Sequence, residues 1–173
     1  MFYKIRNSCN CLICFGVSYG DNCSLFDACI CNPITKEYVA LPKLEEGFTR
    51  NGRVMSGFGY LSLSDEYKVI RIYNEPEKPN VGLVDVYTLG SGRGWRNVGE
   101  FNREIVLFAS RHGTFVNGAI YWINANGVIV VFDLVDENFL TKLEFLTFGY
   151  LRGKMVIVMR IPFGGKRQVL CVL

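Results

Sequence analysis

The chain has 173 residues, enough for one domain with a substantial core, and its net charge of +3 comes from scattered lysines and arginines. Half of the residues are hydrophobic and one fifth are charged, which is typical of a globular β protein and excludes a disordered chain. Because the basic residues form no cluster, we expect no nucleic-acid partner and no membrane partner.

The cysteines and the N-terminus indicate the compartment. The sequence has no apolar run of about 18 residues and no signal-peptide pattern, so we expect an intracellular protein of the cytoplasm, the nucleus or both. The seven cysteines are then expected to be free thiols. Cys9, Cys11 and Cys14 have a spacing that resembles part of a zinc site, but their apolar neighbours favour buried thiols. We expect neither a metal nor a cofactor.

Alternation of apolar and polar residues predicts short strands along the chain. The first predicted strand runs from 7 to 17, and the second, from 25 to 31, ends at Asn32-Pro33 because proline cannot donate to a strand ladder. Further strands are predicted at 38–41, 54–61, 67–73, 81–89, 95–98, 138–146, 155–161 and 168–173.

The stretch from Gly113 to Asp133 carries the clearest strand signals. Asn117-Gly118 divides two short strands, and a β-branched run at 128–132 follows a reversal at 124–127. A hairpin is marginally stable alone, so this one is expected to be part of a larger sheet assembly. Residues 137–148 are the only segment in which a short helix is conceivable.

A repeat organises these strands. An apolar strand, a polar turn and a short strand that opens on an aromatic residue recur three times, with the aromatic residues at Tyr38, Trp95 and Phe139. This spacing is close to the roughly 40 to 50 residues of a propeller repeat. The prediction is an all-β fold, a partial kelch-like β-propeller of about three to four antiparallel blades. A β-sandwich is the alternative, because it uses a similar number of strands.

Six segments, in one order, resemble the plant F-box-associated domains, which are similar to kelch propellers. One domain over 1–173 is expected, with its best match at 8–146 and a divergent or truncated end at 149–173. Cys11 stands where the family usually has glycine, and no F-box is recognisable in this sequence. The matching segments are 8–14, 31–42, 57–70, 84–96, 113–122 and 129–133.

The resemblance implies a non-catalytic protein-binding module, similar to the substrate-recognition part of an F-box subunit of a cullin-based ubiquitin ligase. Its expected partner is a target protein for ubiquitination, with the ligase adaptor as a second partner only if a longer form carries an F-box. Contacts are expected on loops at one rim of the blades, at 43–53, 74–80, 100–103 and 124–127. The binding candidates there are Arg50, Arg53, Glu77, Lys78, Arg103 and Asn126.

Several motif residues have predicted structural roles. Asn32 and Asp133 are expected to hold turns through their side-chain oxygens, and Trp95 and Trp122 to anchor neighbouring sheets. His112, the single histidine, is expected to be exposed in a loop, and no catalytic residue is predicted. The alternatives are an enzyme or sugar-binding protein on a kelch-like propeller, which would need a metal or a carboxylate cluster, and a truncated non-functional copy.

Overall fold

The computed structural model describes residues 2–18, 27–43, 54–74, 78, 81–102, 112–123, 129–140, 144–151, 154–160 and 167–171. The chain divides into two compact units, Met1–Asn138 and Phe139–Leu173. Within the described ranges every regular element is a β-strand. A helix that could cross a membrane is not found in this part of the chain.

Four-stranded antiparallel sheets, here called blades 1 to 3, confirm the predicted partial propeller. Blade 1 contains β1 (Phe2–Cys9), β2 (Leu12–Ser18), β3 (Asp27–Cys31) and β4 (Tyr38–Ala40). Blade 2 contains β5 (Met55–Leu61), β6 (Glu66–Asn74), β7 (Val81–Thr88) and β8 (Trp95–Asn102). Blade 3 contains β9 (Thr114–Val116), β10 (Ala119–Ile123), β11 (Ile129–Asp133) and β12 (Asn138–Leu140).

The second unit contains a three-stranded antiparallel sheet. Its strands are β13 (Glu144–Leu151), β14 (Lys154–Arg160) and β15 (Arg167–Cys171), paired in chain order.

Successive blades meet at their first strands. β5 packs against β1 on one side and against β9 on the other. A parallel bridge joins Ser56 to His112, and the Gly113 amide donates to the Ser56 carbonyl at 2.8 Å. Asn7 of β1 donates its side-chain amide to the Gly113 carbonyl at 2.8 Å. The sheets are therefore separate blades around their inner strands, and the three aromatic-led exit strands each close a different sheet, as predicted.

The tryptophans anchor neighbouring sheets, as the sequence predicts. Trp122 is buried, and its ring passes so close to Gly57 that a Cβ there would lie 3.2 Å from the ring. Trp95 donates from Nε1 to the Pro42 carbonyl at 2.8 Å. The Arg71 guanidinium lies over its ring, with Cζ 4.0 Å from the ring centroid. Large rings at these positions exclude water where sheets approach one another.

Two strand predictions were wrong in blades 1 and 2. The predicted strand at 7–17 is a hairpin, because Asn10 and Cys11 adopt φ values of 42° and 66° and reverse the chain in two residues. Cys11 stands where the resembling family has glycine, so the residues alone carried no turn signal at this position. The strand predicted at 95–98 continues to Asn102, because a bulge beside Gly99 (φ 146°) lets pairing with β7 resume.

The predictions near the start of the second unit also need correction. The strand predicted at 138–146 is two strands, since β12 ends at Leu140 and β13 begins at Glu144. The next predicted strand, at 155–161, corresponds to β14, which begins one residue earlier, at Lys154. The described residues of 137–148, the conceivable helix, are turn and strand.

Candidate protein-binding surface

The loop residues selected from the sequence are mostly outside the described part of the chain. Arg50, Arg53, Glu77, Arg103 and Asn126 fall there, so their proposed binding role stays a prediction.

Lys78 is the one predicted binding residue that the structure describes. It is exposed, its Nζ lies 3.9 Å from Glu100 Oε1 of β8, and its carbonyl accepts from the Val81 amide at 3.1 Å. Lys78 thus lies at the end of blade 2 where β6 leads into β7. The turns described next lie at the opposite end of the blades.

The turn between β3 and β4 is held by the side chain of Asn32. Its Oδ1 accepts from the amides of Ile34 at 2.9 Å and Thr35 at 3.3 Å, as predicted. Lys36 then takes a left-handed conformation, with φ 62°, and donates its amide to the Asn32 carbonyl. This geometry pushes Ile34 outward, where its side chain is 79% exposed.

The turn between β11 and β12 repeats this geometry with an acidic residue. Asp133 Oδ1 accepts from the amides of Val135 at 2.7 Å and Asp136 at 3.0 Å, which confirms its predicted role. Glu137 takes the left-handed conformation, with φ 51°, and Val135 is 66% exposed. Leu134 is fully buried in this turn.

The turn between β5 and β6 brings a third aliphatic side chain to the same end of the blades. Tyr60 donates its hydroxyl to Asp65 Oδ1 at 2.7 Å, and Ser64 donates to Glu66 Oε2 at 3.0 Å. Asp65 has φ 53°, a conformation that short polar residues accept more readily than others. Leu63, at the tip, is fully exposed.

Between the β5–β6 turn and the turns of blade 3 lies a groove of about 600 Å³. Leu63 and Val135 contribute exposed aliphatic groups to it, and Phe115 of β9 adds an aromatic ring. Its other lining residues are Tyr60, Leu61, Ser62, Ser64, Glu66, Lys68, Asn117 and Gly118.

A partly buried ion network stabilises one wall of this groove. Lys68 Nζ donates to the Leu134 carbonyl and to Glu137 Oε1, both at 2.9 Å. Arg96 Nη2 donates to both Glu137 carboxylate oxygens, at 2.7 and 2.9 Å. Burial by itself would raise the Glu137 pKa, but the hydrogen bonds from Lys68 and Arg96 outweigh it, so that pKa lies below its ordinary value. Glu137 is therefore ionised at neutral pH and joins blade 3 to blade 2.

Among the described residues, the turns that border the groove carry exposed carboxylates. Glu66 Oε2 lies 3.9 Å from Lys68 Nζ, so the cations Lys68 and Arg96 are balanced by the carboxylates of Glu66 and Glu137. Two exposed carboxylates, Asp65 and Asp136, remain next to lining residues of the groove. A basic group on a partner would be attracted to this rim.

His112 is not the exposed loop residue that the sequence predicted. It is half-buried, and its Nδ1 shares a hydrogen bond of 2.9 Å with Ser56 Oγ. Such a Ser–His pair could suggest a nucleophile, but Ser56 is only 4% exposed, whereas a nucleophile needs access to its substrate. The pair joins the inner strands of blades 2 and 3.

The five cysteines of the described ranges form no disulfide with one another. Cys14 is buried, but Cys11 is exposed because it forms the β1–β2 turn. Burial raises the pKa of the Cys9 thiol, and burial followed by the proximity of Cys31 raises the pKa of the Cys29 thiol. Within the described segments, no three His, Cys, Asp or Glu side chains are placed to hold a metal ion.

Comparison with known proteins gives one family over most of the chain. The model of the F-box associated beta propeller domain matches residues 1–156. A protein of Arabidopsis thaliana named as an F-box protein is 33% identical over 143 residues, covering 82% of this chain and 34% of the relative. A second is 33% identical over 115 residues, covering 64% of this chain and 28% of the relative.

A third Arabidopsis thaliana relative is named as an F-box/kelch-repeat protein. It is 24% identical over 144 residues, which cover 80% of this chain and 38% of the relative. The chain thus spans about a third of the length of the curated relatives it matches.

Proposed function

Because the chain belongs to the F-box associated beta propeller family, we propose that it is a non-catalytic module that recognises a target protein for a cullin-based ubiquitin ligase. The relatives are named as F-box proteins, which supports a role in target recognition. The ligase adaptor would be contacted through an F-box, and the propeller would hold the target. The free thiols support a reducing compartment, and we propose the cytoplasm or the nucleus.

The observation that carries this proposal is the exposure of aliphatic side chains on turns at one end of the blades. Ile34, Leu63 and Val135 come from three different blades and are each more than half exposed. Leu63 and Val135 line one groove together with Phe115, and a concave apolar surface with a few polar groups is a usual interaction site. Loops and turns carried by a rigid sheet scaffold are also the usual place for recognition.

The experiment tests whether the proteins that bind the chain are also degraded when an F-box is attached. The chain, fused behind an F-box, and the chain alone are each expressed in plant cells, and co-purified proteins are quantified by mass spectrometry. We expect a set of proteins that co-purifies with both forms, falls in abundance only with the F-box fusion, and recovers when the proteasome is inhibited. Capture without any F-box-dependent loss of abundance would contradict the proposal.

The opposite end of the blades remains the alternative contact surface, because Lys78, the described member of the predicted set, lies there. Replacement of Arg50 and Arg53 by alanine tests it. Retention of the whole captured set in this double variant, together with its loss in variants of the turn end, would place recognition at the turn end.

A further inference from the structure

The groove between blades 2 and 3 combines three properties that select a partner. It is concave, it carries exposed aliphatic groups on two turns, and the exposed carboxylates of Asp65 and Asp136 lie on those same turns. The corresponding turn of blade 1 has an equally exposed Ile34 but does not line this groove. Exposure at turn tips is therefore common to the blades, and between blades 2 and 3 it is combined with a groove.

The size of the groove suits side chains of a peptide segment. A volume of about 600 Å³ falls in the range of pockets that hold small ligands, or several side chains of a bound peptide. Leu63, Phe115 and Val135 offer apolar contact without hydrogen-bond donors. A leucine or phenylalanine side chain would bury its surface there, and apolar burial is the main favourable term in association.

The charged residues near the groove indicate which residues should flank the apolar side chain of the partner. Lys68 is buried and occupied by Glu137 and the Leu134 carbonyl, so it does not offer a free cation to an acidic ligand. Asp65 and Asp136 are exposed on the two turns that border the groove. An acidic segment would be repelled by these carboxylates, whereas lysine or arginine would form ion pairs with them.

We infer that the groove binds a partner segment in which one or two large apolar side chains are flanked by basic residues. This inference rests on the proposed function, because it names the chemistry of the segment by which the target is held. The apolar side chains occupy the space between Leu63 and Val135, and the flanking cations pair with Asp65 and Asp136.

The test uses the whole chain and three fluorescein-labelled hexapeptides: Lys-Lys-Leu-Phe-Lys-Lys, the same peptide with glutamate in place of lysine, and the same peptide with serine in place of its apolar pair. Fluorescence polarisation should show binding of the first peptide alone. Leu63→Ser and Val135→Ser should each weaken it about tenfold, since each removes one aliphatic contact. Ile34→Ser, the matched change outside the groove, should leave it unchanged.

A charge reversal provides the second arm. Asp136→Lys should weaken binding of the lysine-flanked peptide about threefold and improve binding of the glutamate-flanked one, with both effects reduced at high salt. The inference would be overturned if the three peptides bound equally, or if the Ile34 and Val135 variants had equal effects on peptide binding. It would also be overturned if Leu63→Ser abolished self-association of the chain and left peptide binding unchanged.

The outcome is separable from that of the proposed function. If Leu63→Ser and Val135→Ser fail to alter peptide binding but the F-box fusion still captures and depletes its targets, the groove inference is wrong and target recognition stands. If the peptides bind as expected but no protein is depleted by the F-box fusion, the proposed function is wrong and the groove remains a peptide site.

Discussion

Two turns of this molecule share one backbone design and have different surroundings. Asn32–Glu37 and Asp133–Asn138 both begin with a side-chain acceptor for two amides, expose an aliphatic residue two positions later, and place a left-handed residue at the fifth position. In blade 1 the left-handed residue is the exposed Lys36. In blade 3 it is Glu137, which bonds to Lys68 and Arg96 of blade 2.

The difference shows that the local hydrogen bonds specify the shape of a turn, while contacts with the next blade decide how firmly it is held. The second position makes the same point, because Pro33 is exposed and Leu134 is fully buried. The blade 3 turn is thus part of the joint with blade 2 and supports the groove. The blade 1 turn displays its side chains to solvent.

The largest expected effect on stability comes from the second residue of each turn, Pro33 in blade 1 and Leu134 in blade 3. Leu134→Ala should lower the free energy of unfolding by about 3 kcal/mol, because it opens a cavity where the turn packs near Gly59 of β5. Urea unfolding followed by tryptophan fluorescence measures this in the first unit, where Trp95 and Trp122 both lie. Pro33→Ala is the matched control and should change stability by less than about 0.5 kcal/mol. Equal effects at the two positions would abolish the distinction between the turns.

The next largest effect on stability comes from the fifth, left-handed residue of each turn. Glu137→Gln should cost about 2 kcal/mol, because it leaves the buried Lys68 ammonium without its closest carboxylate. This loss of stability is smaller than that expected for breaking a fully buried ion pair, because 41% of the Arg96 side chain is exposed. Lys36→Gln, in the exposed turn, should be neutral within about 0.5 kcal/mol. A neutral Glu137→Gln variant would show that the network adds no stability.

The same carboxyl predicts how stability depends on pH. The Glu137 pKa is lower in the folded chain than in the unfolded chain, so its contribution is complete above the unfolded value of about 4.3 and is lost as pH falls through the folded value. The stability difference between the parent and Glu137→Gln should therefore be constant from neutral pH down to about pH 5.5 and shrink at lower pH. Urea unfolding at a series of pH values checks this, and a difference that grows with acid would contradict it.

A smaller effect follows from removal of the side-chain acceptors. Asn32→Ala and Asp133→Ala should each cost about 1 kcal/mol, since each removes two hydrogen bonds to turn amides. Local opening should differ between them. The Lys36 amide should exchange about tenfold faster in Asn32→Ala, whereas the Leu134 amide, which donates to the Gly118 carbonyl at 2.9 Å, should keep its protection in Asp133→Ala. Hydrogen exchange read by mass spectrometry distinguishes the two cases.

Much of the blade architecture could be predicted from the sequence, because alternation and the aromatic-led repeat are local signals. The turn roles of Asn32 and Asp133 were also predictable, since asparagine and aspartate accept hydrogen bonds from nearby amides. The left-handed residues Lys36 and Glu137 were not, because neither position carries glycine. Comparison of the two repeats position by position would have aligned Ile34 with Val135 and indicated that both are exposed.

The groove and its ion network could not be predicted in the same way. Their residues come from separate turns and strands, and only the packing of blade 3 on blade 2 brings them together. Lys68 lies within the strand predicted at 67–73, and a strand prediction does not indicate the partner of a side chain. Arg96 and Glu137 lie on different blades, so no spacing rule connects them. Ser56 and His112 were missed for the same reason, since their pairing depends on adjacent inner strands.

The smallest expected effect is also the one that reverses sign between the two turns. A left-handed conformation strains any residue with a Cβ, and glycine relieves that strain at the expense of a more flexible unfolded chain. Lys36→Gly should therefore raise the free energy of unfolding by about 0.5 kcal/mol, because no buried contact is lost. Glu137→Gly relieves the same strain but removes the closest carboxylate of Lys68, so it should be destabilising by about 1.5 kcal/mol. Since the backbone change is identical, opposite signs in urea unfolding would assign the difference to the neighbouring blade, and equal signs would assign it to the turn itself.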